Sequence, residues 1–307
     1  MNTRHFLSLA DISSDEFRAI IDRAIHLKSL RNRGIAHTPL QHRMLALVFD
    51  KSSTRTRVSF ETGMTQLGGN SMFLSPRDTQ LGRGEPIEDT ARVLSRMVDA
   101  IVVRTHAHHD IETLSTHSRV PVINALTDDY HPCQLLADMQ TWVEHRGDVA
   151  GKTAAWIGDG NNVCHSWMNA ARMLGFRLRI ATPKGYEPSA TMIERCKDSI
   201  ELTNNPMEAA AAADTVVTDT WASMGQEQEK EAREHAFTGF IVDEKLMAAA
   251  ASDAIFMHCL PAYRGSEVST AVIDGPQSVV WDEAENRLHA QKALLEMLLA
   301  PESFGQQ

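Results

Sequence analysis

The chain has 307 residues, 30 Lys+Arg against 40 Asp+Glu, and a formal net charge of -10. Its 43% hydrophobic and 23% charged content is ordinary globular usage and excludes a disordered or fibrous chain. The acidic balance argues against a nucleic-acid binder, which needs a basic face, but leaves room for a local anion site. No apolar run reaches the ~18 residues of a membrane span, and Met1–Phe6 lacks the apolar core of a signal peptide. Cys133, Cys164, Cys196 and Cys259 form no C-x-x-C pair, so neither a zinc site nor a disulfide framework is expected, and Cys164 and Cys196 read as reduced, partly buried thiols. The expected location is the cytoplasm.

In chain order, the predicted strands are Met44–Phe49, Ala100–Val103, Val120–Ile123, Thr153–Ile157, Leu178–Ala181, Thr215–Thr218 and Ala254–Met257. Several are continuous apolar runs, as parallel strands covered on both faces require. Between them fall helical patterns at Thr54–Leu67, Pro86–Met97, Cys133–His145 and Cys164–Leu174, and the alanine runs Ala209–Ala213 and Ala248–Ala251 read as helix. The alternation predicts an α/β class: two α/β domains with parallel sheets and a cleft between them. The polar, glycine-bearing segment His145–Lys152 marks the expected boundary, giving domains 1–147 and 148–285. An amphipathic helix around Asn286–Leu299 is expected to pack back on the first domain, so about 286–307 joins it.

Ligands of open parallel sheets bind beyond the carboxyl ends of the strands, so the residues there are the candidates. After the first strand, Ser53 fits a helix N-cap, with Gly68-Gly69 as the stop. A helix N-terminus attracts phosphate, and Ser53, Thr54, Thr56 and Arg55 would complete an oxyanion cradle. Arg57 lies about 200° round the helix from Arg55 and is expected to pair with Glu61 instead. No Walker lysine follows a glycine-rich loop. Arg104 ends the next predicted strand. In His131-Pro132-Cys133-Gln134, proline suits the first helical position and places His131 and Gln134 on one face.

Further on, Trp156–Asn162 is a strand running into a glycine-rich turn, but a third glycine and the acid of a dinucleotide site are missing, so bound NAD is not expected and Asn162 reads as a polar ligand contact. Asp219, at a strand end, suits an α-amino group, and Ser223 a carboxylate. Cys259 could act as a nucleophile or as a polar contact, and the residues alone leave both open. The tract His106–Asp110 reads as a solvated loop rather than a metal site.

Taken together, Ser53-Thr54-Arg55-Thr56-Arg57, His131-Pro132-Cys133-Gln134, Asp219…Ser223-Met224-Gly225 and His258-Cys259-Leu260-Pro261 resemble the signature motifs of the ornithine carbamoyltransferase family, and the likeness runs from Phe6 to the final helix. The resemblance implies carbamoyl transfer from carbamoyl phosphate to ornithine, without metal or organic cofactor. It implies that Ser53, Thr54, Arg55, Thr56 and Arg104 hold the phosphate and that His131 and Gln134 hold the carbamoyl group. Asn162, Asp219, Ser223 and Met224 would position ornithine; Cys259 and Leu260 would sit by the reacting nitrogen. Arg55, His131 and Cys259 are the implied catalytic set. Arg287, expected just before the last helix, would return to the phosphate, and Gln80 would be lent to a neighbouring subunit's site, which implies a homotrimer. Asp50 departs from the family's Glu before the Lys-x-Ser-Thr-Arg run.

An aspartate carbamoyltransferase would share the phosphate motif but should carry basic residues for a second carboxylate where Asp219 and Ser-Met-Gly stand. Modified ornithine or a diamine is a further acceptor class. A non-catalytic binding protein on this fold would keep the anion cradle while losing groups such as His131 or Cys259.

Overall fold

The computed structural model describes residues 3–75, 84–222 and 230–305. The chain divides into two compact units, one of residues up to 140 together with 285 onward, the other of Thr141–Ala284. The division falls inside helices at both crossings, ahead of the glycine-bearing segment expected from sequence.

The first unit begins with α1 (Ser14–Asn32), β1 (Met44–Phe49), α2 (Thr54–Gln66), β2 (Asn70–Leu74), α3 (Ile87–Leu94), β3 (Ala100–Arg104), α4 (His108–His117), β4 (Val122–Leu126) and α5 (Pro132–Arg146), whose last turns belong to the second unit. Its sheet is parallel throughout, in the order β2-β1-β3-β4. The order reverses direction between β1 and β3, so the crevice that such sheets use for ligands opens beyond Phe49 and Arg104. Ala46, Val48, Ile101, Val103 and Val122 pack with Ala91, Ile111 and Leu114 of the flanking helices; each larger aliphatic side chain contributes about 1.5–3 kcal/mol by leaving water.

The second unit continues with β5 (Thr153–Ile157), α6 (Asn162–Leu174), β6 (Arg177–Ala181), α7 (Ala190–Cys196), β7 (Ile200–Thr203), α8 (Pro206–Ala210), β8 (Thr215–Thr218), α9 (Lys230–Ala236), α10 (Glu244–Ala249), β9 (Ile255–His258) and α11 (Thr270–Ile273). Its parallel sheet has the order β7-β6-β5-β8-β9, with the reversal between β5 and β8. One core gathers around Phe237, Phe256, Val216 and Val242. Trp142, Trp167 and Phe176 form a second aromatic packing group, with centroids 5.0–6.0 Å apart.

The chain then returns to the first unit through α12 (Val280–Leu299) and α13 (Pro301–Phe304). Within that unit α12 is tied to α1: Arg23 grips Glu296 with two bonds of 2.9 and 2.8 Å, and Lys28 donates to Asn286 at 2.9 Å. The C-terminal helix thus packs on the first unit, as expected.

Several elements differ from the sequence reading. The strand expected at Val120–Ile123 runs instead over Val122–Leu126. Pro121 cannot donate to a ladder, and the polar Asn124 is accommodated because its backbone N–H and side-chain Nδ2 reach the carbonyls of Phe6 and Leu7, both at 2.8 Å. β2 and β7 are not among the expected strands; both are edge strands with half-exposed side chains and no continuous apolar run. The alanine run 209–213 is helical only to Ala210, and Ala212 sits at φ 53°. The His106–Asp110 tract is a loop only at His106 and Ala107: His108 opens α4, with Nδ1 3.0 Å from Thr127 Oγ1 and its ring edge-on to Tyr130. Among the described residues, no helix is long and apolar enough to cross a membrane.

Candidate active site

In the first unit, Ser53 caps α2: its side chain accepts the Thr56 N–H at 3.2 Å, leaving Arg55 and the other first-turn residues at the positive end of the helix. Arg57 points elsewhere, as its helical phase requires. It pairs with Glu61 at 2.9 Å and lies over the Phe73 ring. Asp50 accepts from Thr105 Oγ1 at 2.8 Å and its N–H donates to the Arg104 carbonyl at 2.8 Å. These two bonds, one from the Asp50 side chain and one from its backbone, tie the end of β1 to the end of β3.

Arg104 is buried at the end of β3. His131 is also buried, immediately before Pro132 opens α5, and the Gln134 N–H donates back to its carbonyl at 3.1 Å. Gln134 Nε2 donates to Asp138 at 2.8 Å, so its oxygen faces Arg287, whose Nη1 donates to it at 2.5 Å. Arg287 Nη2 donates to Thr56 Oγ1 at 3.3 Å. Arg287 lies in the third turn of α12 rather than before the helix, because α12 begins at Val280, ahead of the expected start. One guanidinium therefore bridges α2 and α5 from the C-terminal helix.

Burial, then the charges of Arg287, Arg104 and Arg55, hold the His131 imidazole well below its ordinary pKa. The ring is neutral at pH 7 and donates through a single N–H. A unit that gathers Arg55, Arg104 and Arg287 around a neutral imidazole is suited to an oxyanion of high charge density. Cys133, next to His131, is a structural thiol: it donates to the Asn124 carbonyl at 3.3 Å, and burial pushes its pKa up to about 12.

In the second unit the groups converge beyond β5, β8 and β9. The turn Gly158–Asn161 leads into α6. A Cβ at Gly160 would stand 2.2 Å from Pro188 N, so only glycine fits there. Asn161, not Asn162, caps α6 by accepting the N–H groups of Val163 and Cys164, and its Nδ2 donates to Asp219 Oδ2 at 2.8 Å. Asn162 is the first helical residue. Asp219 is buried at the end of β8, and Cys259 Sγ donates to its Oδ1 at 3.1 Å. Asp159 is held by Arg233 Nη1 at 2.8 Å; burial still raises its pKa, opposed by that guanidinium. Leu260 follows Cys259 at φ 57°.

Ser223 and Met224 lie outside the described residues, as does Gln80. Asn161 and Arg233, and likewise Glu267 and Glu283, which meet the His258 ring and its backbone N–H, are not among the residues expected from sequence. Asn161 had a signal, since an Asn directly before an apolar helical pattern reads as a cap; the other three act through partners set apart in sequence. Among the described residues, Asp219, His258 and Cys259 bring potential metal-ligand atoms within 4.8 Å of one another. Both His258 ring nitrogens already meet protein partners, Leu260 N at 2.9 Å and Glu267 Oε1 at 3.1 Å.

Two family models match: the aspartate/ornithine carbamoyltransferase carbamoyl-P binding domain over residues 4–144, and the Asp/Orn binding domain over residues 150–298. The ornithine carbamoyltransferase of Methylococcus capsulatus is 64% identical over 97% of this chain and 99% of its own, and that of Nitrosococcus oceani is 61% identical over 97% and 98%. Among solved structures, the enzyme from Burkholderia thailandensis superposes with a TM-score of 0.91 at 51% identity, covering 97% of this chain and 99% of that one. The enzyme from Pyrococcus furiosus does so at 0.93 and 48%, covering 99% and 98%. With both family models matching and relatives 61–64% identical along nearly the full length, the chain belongs to the aspartate/ornithine carbamoyltransferase family.

Proposed function

We propose that the chain transfers the carbamoyl group of carbamoyl phosphate to the δ-amine of L-ornithine, giving L-citrulline and phosphate. The observation that carries this reading is the bridge made by Arg287 from α12 to Thr56 of α2 and Gln134 of α5, beside neutral His131 and Arg104. It assembles, in one unit, donors for a phosphate and for a carbonyl oxygen. The relatives' shared name supports ornithine as acceptor.

In this reading Ser53, Thr54, Arg55, Thr56, Arg104 and Arg287 hold the phosphate, while His131 and Gln134 hold the carbamoyl group. The δ-nitrogen lone pair attacks the carbamoyl carbon, the carbon–oxygen bond to phosphate breaks, and the proton lost from the amine leaves with the phosphate. Negative charge grows on the carbonyl oxygen and on the leaving group. Arg55, the Thr56 hydroxyl and the His131 N–H are fixed before reaction and need no reorganisation to meet it. A neutral His131 is the suitable donor, since a second proton would be held against three guanidinium groups. Asp219, with Asn162, Ser223 and Met224, receives the amino acid. Cys259 serves as a polar contact by the reacting nitrogen together with Leu260; its thiol donates to the Asp219 carboxylate and so stays in the protonated, weakly nucleophilic form.

The same reading makes the chain a cytoplasmic enzyme of arginine synthesis and a homotrimer in which Gln80 serves the neighbouring site. The Campylobacter jejuni relative, 43% identical with a TM-score of 0.90, is described as anabolic. Val58 on α2, Met72 on β2 and Val93 on α3 are exposed apolar side chains on successive elements, and Met97 beyond α3 is 74% exposed. Such surface is expected where copies meet. Steady-state citrulline formation tests the proposal: Arg55→Ala is expected to lose about 10²–10³-fold in kcat, the usual loss when an oxyanion donor is removed, and near-normal turnover would contradict it.

A further inference from the structure

We propose that Glu267 is a positioning residue that fixes the Cys259–Leu260 segment by setting the tautomer of His258. The proposal deepens the functional reading above and rests on it for the role of Cys259 and Leu260.

His258 ends β9 and, with Glu267, is among the most deeply buried polar side chains of the second unit, each 1% exposed. The Leu260 N–H points at His258 Nδ1 at 2.9 Å, so Nδ1 presents a lone pair and the ring proton sits on Nε2. Nε2 faces Glu267 Oε1 at 3.1 Å. The same carboxylate oxygen accepts the Tyr263 N–H at 2.6 Å, and the His258 N–H is held by Glu283 Oε2 at 2.9 Å. The backbone N–H groups of His258, Leu260 and Tyr263 are thus satisfied by two buried carboxylates and one ring.

The segment needs such holding. Leu260 occupies the left-handed region at φ 57°, which costs a residue with a Cβ roughly 1–2 kcal/mol. A carboxylate is an acceptor only, so Glu267 obliges Nε2 to carry the hydrogen and leaves Nδ1 as the acceptor for residue 260. With the tautomer reversed, an Nδ1–H would oppose the Leu260 N–H and the segment would have to move. Cys259 lies between these two anchored residues, and its thiol reaches Asp219 Oδ1 at 3.1 Å. Glu267 therefore acts on the thiol–carboxylate contact from outside it.

The test compares the full-length wild-type chain with Glu267→Gln and Glu267→Leu. Imidazole ¹⁵N shifts of His258, assigned against His258→Gln, report the tautomer. The wild type is expected to show the Nε2-protonated neutral ring. Glutamine keeps an acceptor oxygen, so that variant should keep the tautomer and most of the turnover. The leucine variant should lose the tautomer and about 10–100-fold in kcat, taking as guide the loss when the outer hydrogen-bond partner of a metal-bound histidine is removed. Its affinity for inorganic phosphate should stay unchanged, because the anion cradle belongs to the other unit.

A wild-type His258 protonated at Nδ1 overturns the proposal, and so does a folded leucine variant with wild-type kcat. A glutamine variant that keeps the tautomer yet loses as much activity as the leucine one also overturns it. Should the leucine variant fail to fold, the wild-type tautomer and the glutamine variant decide. Failure of the functional reading looks different: the wild type would make no citrulline while its tautomer stayed as described.

Discussion

Arg287→Met separates what the anion cradle does for folding from what it does for binding. The methionine keeps a long side chain in the buried space while removing the guanidinium. Hydrogen bonds from a charged donor go with it, among them those to Gln134 Oε1 and Thr56 Oγ1, these two contributing about 1.5–3 kcal/mol each. In the free protein that loss of about 3–6 kcal/mol is offset in part, because the arginine's own desolvation and its repulsion with Arg104 and Arg55 disappear too. With phosphate bound no such offset exists. Losing one charge-assisted bond to the anion, about 1.5–3 kcal/mol, corresponds to about 10- to 100-fold in Kd.

Titration calorimetry with inorganic phosphate reads the affinity, and thermal unfolding without ligand reads the stability. A second readout is independent of both. After burial, Arg287 is the largest contribution holding His131 below its ordinary pKa, so the histidine's titration should move upward in the variant. Wild-type phosphate affinity together with an unmoved His131 would refute the reasoning, because it would mean that Arg287 faces neither the anion nor the imidazole.

Other expected outcomes follow from the same structure. His289, buried on α12, has its pKa lowered to about 4 by burial, with Glu285 opposing, and His131 is held well below its ordinary value. Because the unfolded chain takes up these protons first, stability should be unaffected above about pH 6.5 and fall below it. The slope is about 1.4 kcal/mol per pH unit for each group, which chemical denaturation at stepped pH measures; constant stability from about pH 7 to 4.5 would contradict it. Alkylation of the native protein at about pH 8 should label Cys259 ahead of the other thiols, since Cys133 is pushed to about 12 and Cys164 and Cys196 are raised by burial. Peptide mapping showing Cys133 modified first would contradict that order. Gly160→Ala should destabilise the second unit by about 1–3 kcal/mol, the usual cost of overpacking, because its Cβ meets the Pro188 backbone; an unchanged Tm would show that the turn relaxes freely.

Sequence legibility followed locality. Met44–Phe49, Thr153–Ile157 and Thr215–Thr218 were readable to the residue because a buried parallel strand is a continuous apolar run ended by polar residues. The Ser53 cap and the Arg57–Glu61 pair were readable because both are contacts within one helix. Edge strands escaped, since Asn70–Leu74 and Ile200–Thr203 keep one side toward solvent and lose the apolar signature. At the site, motifs indicated which residues stand at strand ends, but not their partners. The Arg287–Thr56 bond spans 231 residues, Cys259–Asp219 spans 40 and Arg233–Asp159 spans 74. The two sheet orders bring the strand ends together, and the return of α12 to the first unit and the placement of α9 supply Arg287 and Arg233.

The central claim is the identity of the transfer, and parallel assays with one carbamoyl donor test it most directly. Carbamoyl phosphate is supplied with ornithine, aspartate, N-acetylornithine or putrescine, and the carbamoylated product is measured for each. Turnover with ornithine alone is the predicted result. Turnover with another acceptor in its place would leave the anion cradle standing and contradict the reading of Asp219, while no turnover with any acceptor would contradict the carbamoyl transfer itself.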